Sequence, residues 1–238
     1  YTEIPYGDLQ EMIDLTGREL EKGTRVIAEA SFTADGLFCS VDILRFNEEG
    51  AAEMYEVKSA AGVKEPYYRD AAFQYHVLSL CGLRPAKCCI VHINGGYVRR
   101  GEADLQGLFE IEDVTERVQA MEEEISAGIA ELRSYMEQEE EPPMPVGEWC
   151  FSPYDCGFFK YCAGDLPEKN VFDLPMLPGK EKLAYYRRGL RTWEDVFAAG
   201  VLKGRVQDYV SFEVTPRPPK IDRESIRSFL DGLRYPLY

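Results

Sequence analysis

The stretch 37–59, LFCSVDILRFNEEGAAEMYEVKS, decides how the chain is read. It holds two runs rich in β-branched, aromatic and large apolar residues, 37–46 and 52–59, separated by Asn47-Glu48-Glu49-Gly50, which favour a turn. A third run, 25–32 (RVIAEASF), precedes them across Ala34-Asp35-Gly36, and the three together predict an antiparallel meander. Asp42 lies within Ser40-Val41-Asp42-Ile43-Leu44, a charge where a strand favours none. Glu56 and Lys58 are two apart, so on a strand both side chains leave the same face. With 37–46 and 52–59 as hairpin neighbours, Asp42 and Glu56 converge there. Two carboxylates and the backbone carbonyl of Val57 make an all-oxygen set suited to Mg²⁺ or Mn²⁺. The adjacent lysine is suited to offsetting developing negative charge. This is the chemistry of phosphodiester hydrolysis. Taken alone, E-x-K is also the pattern of a solvent-facing ion pair on an edge strand.

Outward from this stretch, 8–22 reads as an amphipathic helix ending at Gly23. A second helix, 66–82, begins after Lys64-Glu65-Pro66, stops at Gly82 and carries Asp70 and Gln74 one turn apart. Strands are expected at 87–93 and 96–100, joined by Asn94-Gly95. Residues 110–138 then read as one long helix, because Ile111, Val114, Val118, Met121, Ile125, Ile129 and Leu132 recur every three or four positions. The order predicts an α/β (α+β) core, a mixed central sheet flanked by helices, over residues 1–136. An acidic, Pro-rich linker follows at 137–147, then a cysteine-rich segment at 148–179 and a helical extension at 180–238.

The chain has 238 residues and a net charge of −15, with 42 acidic and 27 basic residues. Residues 101–149 alone hold 15 acids against 2 bases, so the remainder is close to neutral. Global charge thus gives no support for nucleic-acid binding and does not forbid a locally placed polyanion site. No apolar run approaches the roughly 20 residues of a membrane span. Tyr1 is not Met and no signal peptide follows it, which reads as a piece of a longer protein. Seven cysteines, an odd number, fit a disulfide framework poorly and point to a reducing, cytoplasmic setting. Cys39, Cys81, Cys88 and Cys89 read as buried thiols. Cys150, Cys156 and Cys162, spaced by five residues each in WCFSPYDCGFFKYCAG, suit a soft metal centre; zinc prefers four ligands and closer pairs.

SVDIL, YEVKSA and RDAAFQYHVLSLCGL resemble the RecB-like branch of the PD-(D/E)XK nucleases, which includes the CRISPR-associated RecB-like exonucleases. The likeness covers roughly residues 25–165. It implies a restriction-endonuclease-like core acting on DNA, with Asp42 and Glu56 as metal ligands, Lys58 completing E-x-K, and Gln74 near the scissile group. Glu29 is a further candidate acid or an edge-strand residue. Tyr67, Tyr68 and Arg69 face a nucleic-acid strand or pack. A histidine that relatives carry upstream is missing, since His76 and His92 both follow E-x-K. The resemblance also implies that Cys150, Cys156 and Cys162 are three of four ligands to a [4Fe-4S] cluster. The fourth would precede Tyr1, so this chain is expected to hold a cluster poorly. Residues 181–201 resemble a helix–hairpin–helix element, and SIRSFLDGLRYPLY a junction to an RNase-H-like segment that would be a partner in the same protein. The resulting expectation is a Mg²⁺- or Mn²⁺-dependent exonuclease on DNA ends or single strands. The alternatives are a catalytically silent nuclease-like binding or structural module, and a redox-sensing iron–sulfur protein.

Overall fold

The computed structural model describes residues 1–164, 166–216 and 218–234. The chain forms two compact units, Tyr1–Glu141 and Pro142–Tyr238.

The first unit runs β1 (Thr2–Glu3), α1 (Leu9–Glu21), β2 (Val26–Ala34), β3 (Leu37–Phe46), β4 (Ala52–Lys58), α2 (Glu65–Leu80), β5 (Lys87–Ile93), α3 (Leu105–Leu108), β6 (Phe109–Asp113), α4 (Thr115–Ala120) and α5 (Glu122–Met136). It is an α/β unit with a six-stranded mixed sheet, ordered β1-β2-β3-β4-β5-β6. The meander β2-β3-β4 is antiparallel, as expected. Asp35 and Gly36 both take positive φ, the backbone that a tight hairpin needs. Helix α2, opened by Pro66 in its first turn, is the crossover that lets β5 lie parallel to β4. Strand β1 pairs parallel with β2 across α1. Asp8 caps α1, accepting from the N–H groups of Gln10 and Glu11. The core joins Ile27, Val41, Leu44, Met54 and Ile90 of the sheet to Tyr75, Val77 and Leu78 of α2 and Val118 of α4.

Two expectations are corrected. Residues 96–100 form no strand; the sixth strand is β6, antiparallel to β5. The reason is local: Asn94 donates through its backbone N–H to Leu108 O and through its side chain to Gly107 O, closing residues 94–108 into a loop that delivers 109–113 to the sheet edge. The expected long helix is instead two: α4 starts at Thr115, whose N–H and hydroxyl both donate to Asp113 Oδ1, and α5 follows after a break at Met121. Ile111, read as part of a helical apolar face, is an edge-strand residue 62% exposed. Its spacing of three from Val114 was coincidental to the helix.

The second unit holds α6 (Phe159–Ala163), α7 (Gly179–Arg187), α8 (Trp193–Ala198), α9 (Gly204–Val214) and α10 (Arg223–Asp231). Its core takes Cys150, Ala163, Val171 and Phe172 from the cysteine-rich stretch and Leu183, Trp193, Val196 and Val210 from the helices. The rings of Phe151, Phe159 and Phe172 lie 5.0–5.2 Å apart. The two stretches thus share one core. Among the described residues no helix is long and apolar enough to cross a membrane.

Candidate active site

Strands β3 and β4 are paired from Phe46↔Ala52 to Ile43↔Tyr55 and no further. Beyond that point β4 stays with β5, Glu56 beside Ile90 and Lys58 beside His92, while β3 stays with β2. The sheet opens there into a fork. Asp42 is at its root, one residue past the last pair, and its Oδ2 accepts the Val57 N–H at 2.6 Å, where a strand carbonyl would otherwise serve. A strand residue sends its N–H and C=O to the same side, so the Val57 carbonyl also faces the fork. Continued by one residue, the same register sets Glu56 opposite Asp42.

Glu29 flanks this row from β2, between the pairs Ala28↔Ile43 and Ala30↔Val41. Its φ of 58° lies in the left-handed region, which costs a non-glycine residue roughly 1–3 kcal/mol. The buried apolar positions are Ile27, Ala30 and Phe32 in β2 and Cys39, Val41 and Leu44 in β3. In each strand the alternation slips by one residue, at Glu29 and at Asp42. Burial, then repulsion from Asp42 and Glu3, holds the Glu29 carboxyl above the ordinary range, against a hydrogen bond from Ser40.

Glu56 and Gln74 are each only 5% exposed. Gln74 Nε2, on α2, donates to Glu56 Oε2 at 2.7 Å, and Lys58 Nζ donates to Glu56 Oε1 at 2.6 Å. Lys58 also donates to Asp70 Oδ2, and its ammonium lies 5.5 Å from the centre of the Tyr67 ring. Burial pushes the Glu56 carboxyl up to about 7; Lys58 and Gln74 pull it down, and Asp42 and Asp70 add repulsion. For Lys58, burial opposes the charge, but the hydrogen bonds to Asp70 and Glu56 outweigh it and hold the ammonium above its ordinary value.

Asp42, Glu56, Lys58 and Gln74 are therefore brought to one place, with Glu29 beside them. Asp70 belongs to the same network and was missed as a site residue, although its i, i+4 spacing from Gln74 was the available signal. Of Tyr67, Tyr68 and Arg69, read as facing nucleic acid or packing, only Tyr67 adjoins the site, and Tyr67 and Tyr68 both pack against the core. Tyr68 donates to Glu112 at 3.2 Å and lies under the Arg117 guanidinium, and Arg69 pairs with Glu124 of α5 at 2.7 Å. His92 is buried beside Lys58, its Nε2 3.8 Å from Glu110 and 4.0 Å from Glu112. A cleft of about 970 Å³ is lined by Glu53, Tyr68, Lys87, Glu112 and Arg117, and none of the fork residues lines it.

Among the described residues no three His, Cys, Asp or Glu side chains converge to hold a metal ion. The fork still fits Mg²⁺ or Mn²⁺, because such ions are commonly held by one or two carboxylates, the remaining positions going to water and substrate phosphate. Asp42, Glu56 and the Val57 carbonyl would be that donor set. Gln74 Oε1, buried and without a hydrogen-bond partner among the described residues, is a further acceptor beside it. The cysteines fit an iron–sulfur cluster poorly. Cys150 is buried, with its Sγ accepting from the Gly147 N–H at 3.5 Å, and Cys156 and Cys162 pack half-buried against the same core without forming a ligand group. Cys39, Cys88 and Cys89 are buried, as expected, whereas Cys81 is exposed because it caps the C-terminus of α2.

No protein-family model matches the chain, and no curated protein matches it. Among solved structures, the crystal structure of SSO0001 is similar at 13% identity and a TM-score of 0.26, over 57% of this chain and 63% of its own length.

Proposed function

We propose that the chain is a divalent-cation-dependent nuclease module of the RecB-like PD-(D/E)XK type, hydrolysing DNA phosphodiester bonds at ends or in single strands. One observation carries this reading: Asp42 and Glu56 at opposed register positions of a strand fork, with Lys58 and Gln74 both hydrogen-bonded to Glu56. Asp42, Glu56 and the Val57 carbonyl would hold Mg²⁺ or Mn²⁺. A divalent cation there supplies neutralisation of a phosphoryl oxygen and acidification of a water molecule. Gln74 fixes the orientation of Glu56 through Nε2 and leaves Oε1 to accept a hydrogen bond, from water or a substrate hydroxyl. Lys58, kept charged, offsets negative charge that develops at phosphorus. Lys58, paired with Glu56 and Asp70 and set over the Tyr67 ring, is the cation nearest the fork, so phosphate binding there depends on the divalent cation. An RNase-H-like segment of the same protein is the partner this reading implies.

The test is Mg²⁺-dependent cleavage of end-labelled single- and double-stranded DNA by the wild type, Asp42→Ala and Glu56→Ala. Loss of a metal carboxylate is expected to abolish turnover, with circular dichroism as the check that each variant folds. Cleavage that survives both substitutions, or that EDTA leaves unchanged, overturns the reading.

A further inference from the structure

We propose that Asp70 is a positioning residue, a second seat that takes the Lys58 ammonium when a divalent cation claims Glu56. The inference rests on the cation reading of the fork and adds to it a residue outside the expected motif. Both Glu56 oxygens are engaged, Oε1 by Lys58 at 2.6 Å and Oε2 by Gln74 at 2.7 Å. A cation binding Glu56 competes with Lys58 for Oε1. A lysine displaced without a partner would be a desolvated charge, since its side chain is only 20% exposed. Asp70 already accepts from Lys58 and also lies 3.4 Å from Gln74 Nε2 through its other oxygen, so the ammonium changes seats without leaving the site. Asp70 is set one helical turn before Gln74 on α2, so the same rigid element aims the acceptor for the lysine and the donor for Glu56.

Charge points the same way. With their carboxyls ionised, Asp42, Glu56 and Asp70 carry three negative charges against the single positive charge of Lys58. A dication brings the group to neutrality only if Lys58 stays, and Asp70 is the group that keeps it.

The test is Mn²⁺ binding by the full chain, followed by electron paramagnetic resonance and by calorimetry, for the wild type, Asp70→Asn, Lys58→Met and the double variant. Asp70→Asn is expected to weaken Mn²⁺ binding about tenfold when Lys58 is present, because the lysine is then confined to Glu56. In the Lys58→Met background the same substitution is expected to change binding less than about threefold, a coupling that a double-mutant cycle isolates. Equal weakening in both backgrounds would make Asp70 a plain distant charge and overturn the inference, as would no weakening in either. Asp70→Glu restoring wild-type affinity supports it, and failure to restore any counts against it. Absence of Mn²⁺ binding in the wild type and in Lys58→Met would instead overturn the cation reading itself. Asp70 is 41% exposed, so Asp70→Asn is expected to fold, with circular dichroism as the check.

Discussion

Replacing Glu56 by glutamine should change how stability depends on pH, in an amount the site itself sets. The Glu56 carboxyl titrates at about 7 in the folded chain, against 4.5 for an unburied glutamate. The folded state therefore holds this proton more tightly than the unfolded state does. The stabilisation this brings is complete below pH 4.5, where both states are protonated, and is lost as pH rises through 7. A gap of about 2.5 at roughly 1.36 kcal/mol per pH unit gives about 3 kcal/mol. The amide of the Glu56→Gln variant has no proton to lose. In EDTA, the stability of Glu56→Gln minus that of the wild type should thus climb by about 1.4 kcal/mol per pH unit between pH 5 and 7 and level off near 3 kcal/mol. Urea denaturation at half-unit intervals from pH 4.5 to 8.5 reads this directly, and taking the difference cancels the titrating groups that do not interact with Glu56, leaving Lys58, Asp42 and Asp70 as its neighbours. Adding Mg²⁺ at pH 8 should then stabilise the wild type and leave Glu56→Gln nearly unchanged, because a ligand stabilises only the state that binds it. Curves for the two proteins that run parallel across the whole range would refute the claim that burial raises Glu56.

Two substitutions test the packing that frames the site. Thr16→Val leaves the buried Ser31 N–H, now 2.9 Å from the Thr16 hydroxyl, without a partner, and should cost about 1–3 kcal/mol in denaturant unfolding. Val118→Ala, at a fully buried position, should cost about 2 kcal/mol, whereas Ile111→Thr, on an exposed edge strand, should stay within roughly 0.5 kcal/mol. Equal costs at the two positions would put Ile111 on one buried helical face with Val118 and refute the edge strand.

The meander and helix α2 were legible because their signals are local. Asp35-Gly36 states its own turn, Pro66 its own helix start, and the strand-forming composition of 37–46 and 52–58 needs no distant partner. Strand β1 has two residues and is defined only by pairing with β2, so nothing within it announces a strand. Strand β6 was read as helix because Ile111, Val114 and Val118 mimic helical spacing; Asp113 and the loop closed by Asn94 decide otherwise. At the site, Asp42, Glu56 and Lys58 were visible as charges set into strands. Asp70 was visible only as a spacing, since its partner Lys58 lies twelve residues earlier and meets it through the β4–α2 crossover. Arg69, one position away, is turned by about 100° on the helix and meets α5 instead.

The bond from Ser31 to Thr16 joins α1 to β2 two residues from Glu29, the left-handed position opposite Asp42. Helix α1 thereby braces β2 beside its left-handed residue. Trimming the chain through this helix is expected to free the Ser31 N–H and loosen β2 beside Glu29, the residue across from Asp42.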